Sequence, residues 1–119
     1  MWRVPETLKE FAEAGDDTIV LQLIDAFRCD TARRLDRLHE ALARLDPGTV
    51  KAEAHSVRGA ARQMGAEGLA DLCHSVETAA PGMDWPDLGQ RVKLVDAGFA
   101  DLCRAMSEYV DSRQPTHRA

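Results

Sequence analysis

The stretch AHSVRGAARQMGA, residues 54–66, decides how this chain is read. Ala54, Val57, Ala61 and Met64, joined to Val50 upstream, recur at steps of three and four. That spacing draws an apolar stripe along one side of a helix. Gly65 ends the pattern, but Gly59 sits inside it, where glycine costs about 1 kcal/mol relative to alanine. His55 lies off the stripe. Helical residues are about 100° apart, so its same-face neighbours are Lys51, Ala52, Arg58, Gly59 and Arg62. The stretch therefore predicts an exposed imidazole on a basic face, with a glycine notch one turn further on. Such a notch lets another protein approach closely. The cations suit an anion: a phosphoryl group, or a carboxylate-lined site on a partner.

Beyond Gly65 and Ala66 the chain reverses into another helix, carrying Leu69, Leu72, Cys73, Val76 and Ala80, with Gly68 in its first turn. The two helices are then antiparallel neighbours, and residues equally far from the turn lie level. His55 is ten residues before Gly65 and Glu77 eleven after Ala66, so the two can meet across the hairpin. A carboxylate accepting from one imidazole nitrogen fixes the tautomer and leaves the other nitrogen free as a nucleophile. Register alone does not say on which flank Glu77 sits.

Upstream, VPETLKEFAEAG reads as a short helix with Pro5 in its first turn and Gly15 at its end. Asp16 or Asp17 can cap a long second helix. Its stripe runs through Val20, Ile24, Phe27, Thr31, Leu35, Leu38, Leu42 and Leu45. DPG at 46–48 breaks the chain, and the helix of the opening stretch starts near Thr49. Downstream, APGMDWPD reads as a loop. A last helix carries Leu88, Val92, Val95, Phe99, Leu102, Met106 and Tyr109 or Val110. The expected fold is all-α: an antiparallel four-helix bundle with a short extra N-terminal helix. The bundle takes residues 1–112, followed by a polar tail at 113–119.

Composition agrees. The 119 residues suit one domain; apolar residues make up 45% but aromatic ones only 5%, and alanine and leucine dominate. A net charge of −5 argues against a nucleic-acid partner. Cys29, Cys73 and Cys103 are odd in number and form no paired motif, which suits reduced thiols in a cytoplasmic protein. Cys73 and Cys103 fall among leucines and read as small core residues. No apolar run nears the roughly 20 residues that span a bilayer, so no membrane association is expected.

Residues 55–77, HSVRGAARQMGAEGLADLCHSVE, resemble the signature of histidine-containing phosphotransfer (HPt) domains. That motif runs His-Ser-x-Lys-Gly-Ser/Ala-Ala/Ser, then a Gly-Ala turn, then Leu-x-x-Leu-Cys-x-x-x-Glu. His55, Ser56, Gly59, Ala60, Ala61, Met64, Gly65, Ala66, Leu69, Leu72, Cys73 and Glu77 match in place. FRCDTARRLDRLHEAL, in the second helix, also resembles the family. The resemblance implies that His55 accepts a phosphoryl group on its outer nitrogen. Arg58 takes the place of the usual lysine that helps to hold that group. Gly59 makes room for a receiver domain, and Glu77 orients the imidazole. Arginine at 58 keeps the charge but exchanges a compact ammonium for a planar fork.

The resemblance further implies a monomeric phosphorelay intermediate without independent catalytic turnover. It would take the phosphoryl group from the receiver domain of a hybrid sensor kinase and pass it to that of a response regulator. It would need no cofactor or metal of its own, the Mg²⁺ belonging to the partner receiver. Two rival readings are a helical adaptor that docks a receiver or kinase domain without taking phosphate, and a metal- or haem-binding bundle. The second lacks converging ligands, since the stripes offer leucines and alanines. Of the other histidines, His74 lies about a turn from Glu77 and within possible reach of Arg58; the simpler reading is a solvated bystander. His39 sits in a charged helix surface and His117 in the tail.

Overall fold

Chain reversals and their caps set the architecture. In the computed structural model, which describes residues 2–13, 15 and 17–113, five α-helices follow one another. They are α1 (Glu6–Glu13), α2 (Asp17–Ala43), α3 (Pro47–Gln63), α4 (Glu67–Ala79) and α5 (Trp85–Ser112), with a short 3₁₀ turn at Ala80–Gly82. Helices α2 to α5 form the expected bundle, and α1 packs against α2. Asp16 and residues 114–119, which include His117, lie outside the described residues.

Three local features differ from the periodicity reading. The stripe of α2 does not continue to Leu45. The helix ends at Ala43, Leu45 adopts a left-handed φ of 58°, and it is 59% exposed. The amide of Asp46 donates to the Ala41 carbonyl and that of Leu45 to the Leu42 carbonyl. This is the Schellman arrangement, usually completed by glycine. Ala41 is the last buried position of α2, and Leu42 is half-buried. Helix α3 starts at Pro47, two residues before Thr49, because Asp46 caps it: its carboxylate accepts from the Thr49 amide at 3.2 Å. Proline at the first helical position loses no hydrogen bond. Finally, most of APGMDWPD is ordered structure. Asp84 caps α5 by accepting from the Asp87 amide, and Pro86 lies in the first turn. At the other end of α5, Arg113 caps the helix and lies over the Tyr109 ring.

The α3–α4 reversal repeats the Schellman pattern with Gly65 at φ 69°. Ala66 donates to the Ala61 carbonyl and Gly65 to that of Arg62. Trp2 covers this turn, its indole donating to the Met64 carbonyl at 2.6 Å. The core contains Ile24, Leu38, Val50, Val57, Val76, Leu88, Val92, Val95 and Met106, all essentially inaccessible. Phe99 and Leu72 are half-buried against it. Burying a side chain such as Val57 contributes up to about 1.5–3 kcal/mol. Rotating α3 to hide His55 would expose Val50, Ala54, Val57 and Ala61 together. The core thus fixes the direction in which His55 points.

Candidate functional site

Helix α3 presents Lys51, Ala52, His55, Gly59 and Arg62 to solvent. The His55 side chain is 64% exposed. A Cβ built at Gly59 meets nothing within 4 Å, so the notch is open and no neighbouring helix fills it. Gly98 on α5, by contrast, is tightly packed: a Cβ there would come within 2.8 Å of Leu72 Cδ1.

Across the hairpin, Glu77 reaches His55. Its Oε2 lies 2.7 Å from His55 Nδ1, and its side chain is only 10% exposed. The Gly65 turn places the two residues level. Glu77 sits beside Cys73 and Val76 on the inner flank of α4, so the carboxylate approaches from below the exposed imidazole. Its other oxygen, Oε1, is 3.1 Å from Arg58 Nε.

Arg58 departs from the expected basic face. Its side chain is 20% exposed and folds over the hairpin. Nη2 lies 3.1 Å from His55 Nδ1 and Nη1 3.4 Å from His74 Nδ1. One nitrogen cannot both donate to Glu77 and accept from Arg58. The shorter contact, to a carboxylate, selects Nδ1–H donating to Glu77. Nε2 then carries the lone pair, and no hydrogen bond to a described residue engages it. The arrangement presents an exposed imidazole whose outer nitrogen is open to a partner. His74, itself exposed, lies within 3.4 Å of the far edge of the Arg58 guanidinium.

A second buried carboxylate was not singled out from sequence. Glu53, 7% exposed, faces α2, where Arg34 Nη1 and Arg37 Nη1 approach it at 3.0 and 3.6 Å. Asp30 pairs with Arg34 on its other side, at 3.0 Å. The bond from Arg34 holds the Asp30 carboxyl below the usual aspartate range. The bonds from Asp30 and Glu53 push the Arg34 guanidinium up. The level argument that pairs His55 with Glu77 would have found Glu53: counted from the 45–46 turn, it lies one residue from the level of Arg37 and four from that of Arg34. The cluster ties α2 to the helix that carries His55.

His39 on α2 bonds the Asp96 carboxylate on α5 at 2.9 Å. Burial, aided by Glu77, pushes the Cys73 thiol up to about 12. Cys103 is half-buried and Cys29 exposed. Among the described residues, no group of three histidine, cysteine or acidic side chains could hold a metal ion, and no helix is long and apolar enough to cross a membrane.

Comparison with known proteins adds an independent line. Residues 22–113 match the family model described as the Hpt domain. Histidine-containing phosphotransfer protein B (HptB) from Pseudomonas aeruginosa PAO1 superimposes with a TM-score of 0.78 at 24% identity, covering 94% of this chain and 95% of that one. That likeness shows the bundle fold. Comparison with curated proteins gives no match.

Proposed function

Because the chain belongs to the Hpt domain family, whose members carry phosphoryl groups on histidine in two-component signalling, we propose that His55 is its phospho-acceptor. The observation that carries this reading is the contact between His55 Nδ1 and Glu77. It commits Nδ1 as donor and leaves Nε2 as an exposed nucleophile. Phosphoryl transfer needs mainly alignment and charge stabilisation. A helix locked by its core stripe supplies the alignment.

In this reading the protein is a phosphorelay intermediate, a monomeric cytoplasmic carrier without turnover of its own. His55 attacks the phospho-aspartate of a hybrid kinase's receiver domain, and the loaded histidine then donates to the receiver of a response regulator. Glu77 orients the ring, and Arg58 adds positive charge beside it. Lys51, Ala52, Gly59 and Arg62 form the surrounding docking face. Mg²⁺ and the acidic pocket belong to the receiver, so the carrier brings no cofactor.

The test is mass measurement after incubation with a phosphorylated receiver. Wild type gains one acid-labile phosphate and His55→Gln gains none. A wild type that binds the receiver but gains no phosphate is a docking adaptor, and the relay reading fails. Phosphate retained at wild-type level by His55→Gln moves the acceptor elsewhere, with His74 the next histidine to test.

A further inference from the structure

The position of Arg58 raises a question that a phosphate-gripping role does not answer. A phosphoryl group joins His55 at Nε2, across the ring from Nδ1. The guanidinium lies on the Nδ1 edge, with Nε 3.1 Å from Glu77 Oε1 and Nη2 3.1 Å from Nδ1. Its other edge rests against His74 Nδ1 at 3.4 Å. With 20% of the side chain exposed against 64% for His55, the fork is tucked under the ring.

We infer, building on the reading of His55 as acceptor, that Arg58 is a positioning residue acting through Glu77: by neutralising the buried carboxylate it keeps the imidazole from holding positive charge, and so primes the loaded histidine for onward transfer.

The charge balance of the step makes the point. The Nε2 lone pair attacks phosphorus, the Nε2–P bond forms and the P–O bond to the donor aspartate breaks. The electron pair leaves on the donor's carboxylate. The proton stays on Nδ1, so the ring gains one positive charge beside Glu77. Glu77 alone would stabilise that cation and hold the phosphoryl group. Arg58 offsets Glu77, so the loaded state stays reactive. In the onward step a carboxylate oxygen of the second receiver's aspartate attacks phosphorus, the O–P bond forms as Nε2–P breaks, the electrons of the broken bond return to the ring, and the ring is neutral again.

Among the described residues, no other charged group near the ring replaces Arg58. Lys51 and Arg62 share the exposed face of α3 and add only further positive charge. From α2, Arg34 and Arg37 are turned to Glu53 rather than Glu77. From α4, His74 Nδ1 lies 3.4 Å from Arg58 Nη1.

A charge within about 4–6 Å biases a neighbour's ionisation by roughly 10- to 1000-fold; acting through Glu77 and partly exposed, Arg58 falls at the low end, about tenfold. Arg58→Gln should therefore raise the equilibrium ratio of loaded His55 to loaded donor receiver about tenfold and slow onward transfer. Arg58→Lys, which restores the charge, should return both towards wild type. In the unloaded protein, ¹⁵N NMR of the His55 ring should show the imidazolium-to-imidazole ratio rising in parallel. In a Glu77→Gln background the same Arg58→Gln change should shift that ratio by only about twofold or less. A fall in loaded His55 on Arg58→Gln would mean that the fork grips phosphoryl oxygens and would overturn the inference. So would an unchanged ring ratio, or an equal shift with and without the Glu77 carboxylate. The NMR comparison needs no relay: a wild type that takes no phosphate refutes the acceptor reading, while the ring ratios still decide whether Arg58 acts through Glu77.

Discussion

Replacing Gly59 with glutamine separates docking from packing. A Cβ at 59 meets no other part of the described bundle within 4 Å, and the position is exposed, so a longer side chain has solvent to extend into. The steric cost of folding is therefore close to zero, and removal of glycine's helix penalty should stabilise the protein by about 0.5 kcal/mol. For a chain of this size that raises Tm by about 2 °C. The effect on transfer runs the opposite way. Position 59 lies one turn from His55 on the same exposed face, so a longer side chain holds a docked receiver off the imidazole. A displacement of about 1 Å can cost about 100-fold in rate, and glutamine extends further than that. Transfer from a phosphorylated receiver should fall at least 100-fold, read by rapid quench and acid-labile phosphate. A small-molecule phosphodonor such as phosphoramidate needs no docking face and should modify His55 within about twofold of wild type. Thermal melts and both donor reactions are run on the same preparation. A raised Tm with receiver transfer intact would refute the notch as a docking feature; a lowered Tm would refute the open space seen around it.

Other expectations follow from the same geometry. Glu77→Ala should lower receiver-dependent loading less than His55→Gln does, because the nucleophile loses its orientation but not its existence; ¹⁵N NMR should show Nδ1–H no longer the dominant tautomer, and unchanged populations would contradict the 2.7 Å contact. With Cys29 exposed and the buried Cys73 thiol pushed up to about 12, Ellman's reagent at pH 8 should modify Cys29 in the folded protein and Cys73 only on unfolding. The Asp46 carboxyl is held below its ordinary range, first by the Thr49 hydroxyl and then by its amide. Its contribution is therefore complete above the ordinary aspartate value of about 4 and is lost as pH falls through the lower folded value. Asp46→Asn, which still caps α3, should flatten Tm against pH in that acid window, and an unchanged profile would show that the cap carries no such linkage.

Much of the molecule was legible from local pattern, and the limits are instructive. Val50, Ala54, Val57 and Ala61 repeat at helical spacing, so the buried side of α3, and hence the outward direction of His55, can be read from the chain alone. The level of Glu77 follows from counting to the Gly65 turn, because a tight reversal leaves little freedom of register. Leu45 is where such counting misleads. Its hydrophobicity continues the α2 stripe, but the capping bonds to Ala41 and Leu42 end the helix first, and the residue turns out to solvent in a left-handed conformation. Glu53 was passed over for a related reason: a lone glutamate beside an apolar stripe reads as surface until arginines on another helix are placed opposite it.

Sequence by itself determined the all-helical bundle, the exposed imidazole, the glycine notch and the level of Glu77, but not the flank from which it meets His55. Each depends on periodicity or on distance from a turn, and those are properties of neighbouring residues. Only the tertiary structure decided what Arg58 does with its charge. Its position on α3 is compatible with a guanidinium stretched into solvent as well as with one folded beneath the ring. The choice rests on a carboxylate from α4, largely withdrawn from water, that needs a counter-charge. A buried carboxylate without a partner is costly, so the guanidinium turns inward to Glu77 at 3.1 Å. That competition between solvent and a partner on another helix leaves no trace in the spacing of residues along the chain.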